Sequence, residues 1–186
     1  KSVPINAEGT WSFGNSISFQ KDWKTTDKKI SLIASNNVSV NNSYVLVNQE
    51  KSKFQSFQIR PSAEIRINLN DHFELNQSYS FSNSKSTYLS ELFTDQKLLF
   101  HDSRSEIIIR PTPKFVIEST LDCRYNSNSI PGLLKDYYKF NAAISYIFLK
   151  GNRGVLKLAV NDIFDQNILA KRIVRENYIE DMQGST

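Results

Sequence analysis

The sequence predicts an all-β protein, an antiparallel up-and-down meander that forms part of a transmembrane β-barrel. Three observations carry that prediction. Apolar and polar residues alternate over long stretches, the period of a strand with one greasy and one wet face. The wet positions hold charges of both signs. The connections alternate between tight turns and longer loops, as in barrels whose two ends face different surroundings. The longest alternation is FQIRPSAEIRINLN. Its odd positions Phe57, Ile59, Pro61, Ala63, Ile65, Ile67 and Leu69 are apolar or small, and its even positions from Gln58 to Asn70 are polar. A strand in a soluble domain runs about 5–6 residues, whereas crossing a bilayer takes about 9–11 tilted ones.

Taken in order, eight segments carry the pattern. TWSFGNSISF sets Trp11, Phe13, Ile17 and Phe19 against Ser12, Gly14, Ser16 and Ser18. KISLIASNNVSV puts Ile30, Leu32, Ala34, Val38 and Val40 on a side that also carries Asn36. The Phe57–Asn70 stretch follows, and then FELNQSYSFS, with Phe73, Leu75, Tyr79 and Phe81 on one side. RSEIIIRP opposes Ile107 and Ile109 to Glu106 and Arg110. FVIESTLDCRY opposes Phe115, Ile117, Leu121, Cys123 and Tyr125 to Glu118, Thr120, Asp122 and Arg124. KFNAAISYIF aligns Phe140, Ala142, Ile144, Tyr146 and Phe148, and VLKLAVN aligns Leu156, Leu158 and Val160. Tight connections are expected at KTTDKK, NLNDH, RPTPK and KGNRG, which hold the Asn, Asp, Gly and Pro that turns favour. Longer ones are expected at NQEKSK, YLSELFTDQK, NSNSIPGLLKD and after FDQN. A short helical turn is expected near Ile168–Arg172, and a bulge or a missing ladder bond at Pro61, whose ring removes an N–H.

Composition agrees with a structure that needs no thick core. Hydrophobic residues make up 39% of the 186 positions, below the roughly 45–50% usual for globular domains. Yet there are twelve Phe, eight Tyr and two Trp. Aromatics such as Trp11 and Tyr125 near strand ends fit an interface girdle. The net charge of +4 is scattered, which argues against nucleic acid as a partner. No run of about 18 apolar residues suggests a spanning helix. The chain opens in mid-pattern, KSVPINAEGTWSF, as a mature or excised piece would.

Catalytic chemistry finds no footing. His72 and His101 are placed in a turn and at the start of a strand, without metal-ligand spacing, so no metal or cofactor is expected. No GxSxG, HExxH or phosphate-binding loop occurs. Glu118 and Asp122 lie about 13 Å apart by strand rise, beyond the roughly 5–9.5 Å of glycosidase pairs. Cys123 reads as a small packed hydrophobe. VNDIFDQN reads as a turn built by Asp162, Asp165 and Asn167, its spacing differing from that of an EF-hand. The residues expected to line a watery lumen are Arg60, Glu64, Arg66, Glu118, Asp122, Arg124 and Lys139. Those expected to face lipid are Phe57, Ile59, Ile65, Ile67, Phe140 and Ile144. A soluble sandwich, with the apolar faces packed together as a binding module, is the competing all-β reading.

Three pieces of the last third are more specific: KGNRGVLKL (Lys150–Leu158), VNDIFDQN (Val160–Asn167) and RENYIED (Arg175–Asp181). Together, from Tyr137 to Asp181, they resemble the C-terminal region of outer-membrane β-barrel proteins of Bacteroidetes-type bacteria. These include TonB-dependent-receptor-like barrels with an N-terminal carboxypeptidase-regulatory-like domain. The resemblance implies the outer membrane of a Gram-negative bacterium and transport of a solute. Long extracellular loops would capture the ligand, and it would pass through the lumen once a plug is displaced from the periplasmic side. The implied partners are outer-membrane lipid, the rest of the barrel and a plug domain, with TonB or a surface lipoprotein beside them. A barrel serving as scaffold in an outer-membrane complex, without transport, is the alternative. In that family an aromatic-rich closing strand follows NYIED. Here MQGST follows instead, and residues 1–186 are expected to be a C-terminal segment of a larger barrel without its closing strand.

Overall fold

A computed structural model describes residues 9–47, 50–89, 94–127, 135–149, 153–166, 168–174 and 179–185. Eight strands form one antiparallel sheet in chain order. They are β1 (Trp11–Lys24), β2 (Lys28–Val47), β3 (Glu50–Leu69), β4 (Phe73–Tyr88), β5 (Gln96–Thr112), β6 (Phe115–Asn126), β7 (Asp136–Phe148) and β8 (Gly154–Val160). Two more, β9 (Ile168–Val174) and β10 (Ile179–Ser185), make a separate two-stranded sheet. The helical turn expected near Ile168–Arg172 is therefore corrected to a strand, paired from Ile168↔Ser185 to Val174↔Ile179. Its mix of apolar and basic residues fits either period, and cross-strand partners decide. Among the described residues there is no helix, and β1 and β8 do not meet.

The strands are longer than the alternation alone indicated. β2 and β3 each run 20 residues, so most of the NQEKSK connection belongs to strands and only residues 48–49 lie outside the described ones. β5 begins at Gln96 rather than near Arg104. This places His101 inside the strand instead of at its start, with its ring centroid 5.0 Å from Phe81 and 5.6 Å from Tyr125. The cores of the expected loops at residues 90–93, 128–134 and 150–152 lie outside the described residues, as do Asn167 and residues 175–178.

Four connections gather at one end of the sheet: Thr25–Asp27, Asn70–His72, Pro113–Lys114 and the β7–β8 turn at Leu149. In the first, the Thr25 amide donates to Lys28 O at 2.8 Å, and the Asn70 amide of the next donates to Asp27 O at 2.8 Å. Asn70 takes a left-handed φ of 54°, which asparagine tolerates. Leu149, at φ 71°, does so at a cost, because its Cβ crowds the following carbonyl.

The two prolines inside strands behave differently. Pro61 keeps its place opposite Asn36 of β2. Towards β4 the pairing skips Arg60 and Pro61 between Ile59↔Asn83 and Ser62↔Ser80, and the register is the same on both sides of the gap. The expected defect is thus a missing pairing and not a bulge, as the loss of one N–H requires. A register shift occurs instead between Ile109 and Thr112, around Pro111.

Register sorts the side chains onto two faces, since directly paired residues share a face. One face carries Trp11, Phe13, Ile17, Phe19 and Trp23 of β1, paired through Val40, Ala34 and Ile30 of β2 to Phe57, Ala63 and Ile67 of β3. It continues through Phe73, Leu75 and Tyr79, Ile107 and Ile109, Ile117 and Leu121, Phe140 and Ile144, to Leu158. Each strand of the sheet touches only its neighbours in the meander, so no second layer covers this face among the described residues. Ile17 is 67% exposed, and Phe13, Phe57, Ile144 and Leu158 are also exposed. Among the described residues there is no apolar core: the one buried hydrophobic residue is Phe54, which faces the other way, against Tyr88.

Candidate functional site

The face opposite the apolar one is charged. All seven expected wet residues fall on it: Arg60, Glu64 and Arg66 from β3, Glu118, Asp122 and Arg124 from β6, and Lys139 from β7. The six expected lipid-facing residues, Phe57, Ile59, Ile65, Ile67, Phe140 and Ile144, all share the apolar face. Strand alternation alone achieves this division, because both sets keep their parity through every register pairing.

The charges are arranged as complementary rungs. On β5 the sequence Asp102, Arg104, Glu106 alternates in sign, and β6 answers with Arg124 directly opposite Asp102 and Asp122 directly opposite Arg104. The Arg124 Nε donates to Asp102 Oδ2 at 2.7 Å, and Arg104 Nη1 reaches Asp122 Oδ1 at 3.3 Å while its Nη2 meets Glu106 Oε1 at 2.6 Å. Arg110 of β5 pairs with Glu74 of β4 at 2.5 Å, and Arg66 with Glu64 of its own strand at 2.5 Å. Lys157 of β8 pairs with Glu118 of β6, reaching over β7 at Ala143, a residue opposite both Glu118 and Ala159. A larger residue than alanine there would stand in the way. Each pair is partly exposed and contributes about 0–1 kcal/mol; their shared role is to neutralise a charged wall.

Of the eleven residues in these pairs, five were among the expected lumen-lining set. Glu74, Glu106, Arg110 and Lys157 sit at polar positions of the alternation and were legible there. Asp102 and Arg104 were not, because Leu98 and Phe100 occupy the charged face of β5 and blur its period. Among the described residues no three His, Cys, Asp or Glu side chains gather as a metal site.

Burial separates the two faces further. Among the described residues six are buried: Ser31, Asn42, Ser52, Phe54, Asp122 and Ser145. Five of them, all but Asn42, belong to the charged face. Some polar groups on the apolar face bond each other: the Gln77 amide donates to Ser103 Oγ at 3.1 Å and accepts from Ser105 Oγ, and Tyr79 Oη lies 2.7 Å from His101 Nδ1, whereas Asn36 Oδ1 is buried without a partner.

The apolar face forms an oblique band. On β1 it runs from Trp11 to Trp23, the two tryptophans of the chain. Twelve residue steps at about 3.3 Å make roughly 40 Å along the strand. Trp23 was not placed by the alternation because Lys21 interrupts it, but register puts both on one face. Followed across the sheet, Trp11 is level with Gln55 of β3, whereas Tyr138 of β7 is level with Ala63. At the other margin Trp23 is level with Ile67, and Phe148 stands four residues beyond the level of Leu69. The margins therefore slip about six to eight residues over six strand spacings of about 4.8 Å, an obliquity of roughly 35–40°.

The VNDIFDQN segment continues the edge of β7 beyond β8. The Ile163 amide donates to Phe140 O at 2.9 Å, Asp162 N to Asn141 Oδ1 at 2.8 Å, and Tyr138 N to Gln166 Oε1 at 2.9 Å. Asp162 and Asp165 adopt φ values of 51° and 52°, and the Asp165 amide closes the turn on Asp162 O at 2.9 Å. No protein family, curated protein or solved structure matches the chain.

Proposed function

We propose that this chain is a segment of the wall of an outer-membrane β-barrel of the TonB-dependent-receptor-like kind, whose work is to pass a solute across the outer membrane. One observation supports this above the others: the greasy face is the open one and the charged face is the crowded one. In a sheet that curls, side chains on the concave side are pressed together and lose water, and those on the convex side splay outward. A charged concave side and an apolar convex side describe a barrel with a wet lumen in a lipid surrounding; a soluble module would put its apolar face inside.

The dimensions support the same reading. A band of about 40 Å along the strand, inclined at roughly 40°, projects to about 30 Å, the thickness of the hydrocarbon core. The obliquity agrees with the strand tilt of about 35–45° in such barrels. Tryptophans at both margins of β1 match the aromatic girdles. The resemblance of residues 137–181 to the C-terminal regions of Bacteroidetes-type barrels supplies the link to transport and to a plug domain.

The test is biochemical. The protein is expected to need detergent or vesicles for solubility and to migrate on gels according to whether it was heated. A chain that stays monodisperse in buffer without detergent overturns the membrane reading.

A further inference from the structure

The charged face is not uniform. On the strands from β4 to β8 each arginine is answered by a carboxylate: Arg104 by Asp122 and Glu106, Arg110 by Glu74, Arg124 by Asp102. Arg66 of β3 is answered by Glu64. Arg60 is different. It is exposed, and among the described residues no carboxylate or hydrogen-bond acceptor engages its guanidinium.

Its surroundings form a hollow. Two neighbouring rungs cross the first three strands: Ser16, Asn37 and Arg60 on one, Gly14, Ser39 and Gln58 on the next. They line an open hollow of about 340 Å³. Gly14 keeps the hollow open, since a Cβ added there would meet nothing within 4 Å. The neighbouring positions on β4, Ser80, Ser82 and Ser84, bring hydroxyls and no acid. A guanidinium with five donors, an amide and two hydroxyls in a field without negative charge is a receptor for an oxyanion.

Resting on the lumen reading above, we infer that the Arg60 hollow is an anion subsite on the inner wall, taking a carboxylate or phosphate group of a soluble solute. Arg60 grips the oxyanion in bidentate fashion, the Asn37 amide and the Ser16 and Ser39 hydroxyls complete its shell, and the rest of the solute lies over Gly14. The paired arginines do not compete, because their carboxylates already occupy them.

The experiment titrates inorganic phosphate, and separately acetate, into the full chain in neutral detergent at low salt, following the arginine Nε–H resonances. Saturable binding is expected, weakened at least tenfold by Arg60→Gln and by Gly14→Asp, which sets a negative charge in the open space. Arg66→Gln is expected to bind as the parent does. The same titration in neutral and in anionic vesicles separates the sources: a soluble anion binds in both, a lipid headgroup acts only in the second and overturns the assignment. Absence of saturable binding, an Arg66→Gln loss equal to that of Arg60→Gln, or an unaffected Gly14→Asp also overturns it. Failure of the membrane reading looks different: a chain soluble without detergent that still loses phosphate with Arg60→Gln keeps the subsite and discards the bilayer.

Discussion

Ser16 and Ile17 are adjacent in β1 and point to opposite faces, which makes them a sensitive pair for arginine substitution. Ile17 lies six residues from each of Trp11 and Trp23, at the midpoint of the band, and is 67% exposed. If that exposure is to lipid, Ile17→Arg places a guanidinium about 15 Å from either margin, at a cost of about 2–4 kcal/mol for a midplane position. Asn36, directly opposite, has a side-chain oxygen that is buried without a partner. It can accept one bond from the new arginine and offset part of the cost, so we expect about 2–3 kcal/mol, or roughly 30- to 150-fold in the folding equilibrium. Ser16→Arg, facing the charged side beside the Arg60 hollow, should change stability by no more than about 0.5 kcal/mol. The assay is reversible unfolding from phosphocholine vesicles in guanidinium, followed by tryptophan emission. Equal costs for the two variants, or a negligible cost at Ile17, would refute the assignment of faces.

Three further outcomes follow from local geometry. Leu149→Asn should stabilise by up to about 1 kcal/mol, because asparagine accepts the left-handed backbone that leucine resists; thermal or denaturant melts check this, and a loss would show that the Leu149 side chain matters more than its φ. A double-mutant cycle on Asp102 and Arg124 should give a coupling of about 0.5–1 kcal/mol that shrinks as salt rises; a salt-independent value would contradict the half-exposed setting. Pro61→Val should restore the missing pairing to β4, seen as new amide-exchange protection at position 61, and a fully exchanging amide there would assign the gap to something other than the absent N–H.

The two faces were readable residue by residue because strand parity is rigid. Once Phe57 and Arg60 are assigned, every register partner follows, and the two expected sets separate onto opposite faces of the sheet. What escaped was set by position in the sheet rather than by period. Trp23 was hidden behind Lys21, which occupies the apolar face close to the turn, where a lysine can extend its amine past the end of the band. Phe54 was hidden because an apolar residue on a polar face looks like a break in the pattern; its partner Tyr88, 34 residues away in the chain, makes it the most buried hydrophobe among the described residues. Ile168–Arg172 misled because a short apolar and basic segment fits both helical and strand periods, and its strand partner lies beyond it in the chain.

The neighbour-only connectivity of the sheet has a consequence for how such a chain can change. Its contacts run along a single thread, so its stability approximates a sum of adjacent strand-to-strand terms, as in repeat proteins. The natural unit of gain or loss is then the hairpin. Duplicating or deleting two strands preserves which end bears the tight turns and which face bears the charges. Adding or removing one strand exchanges the ends for everything downstream. A wall built this way can widen or narrow in steps of two while every surviving residue keeps its place.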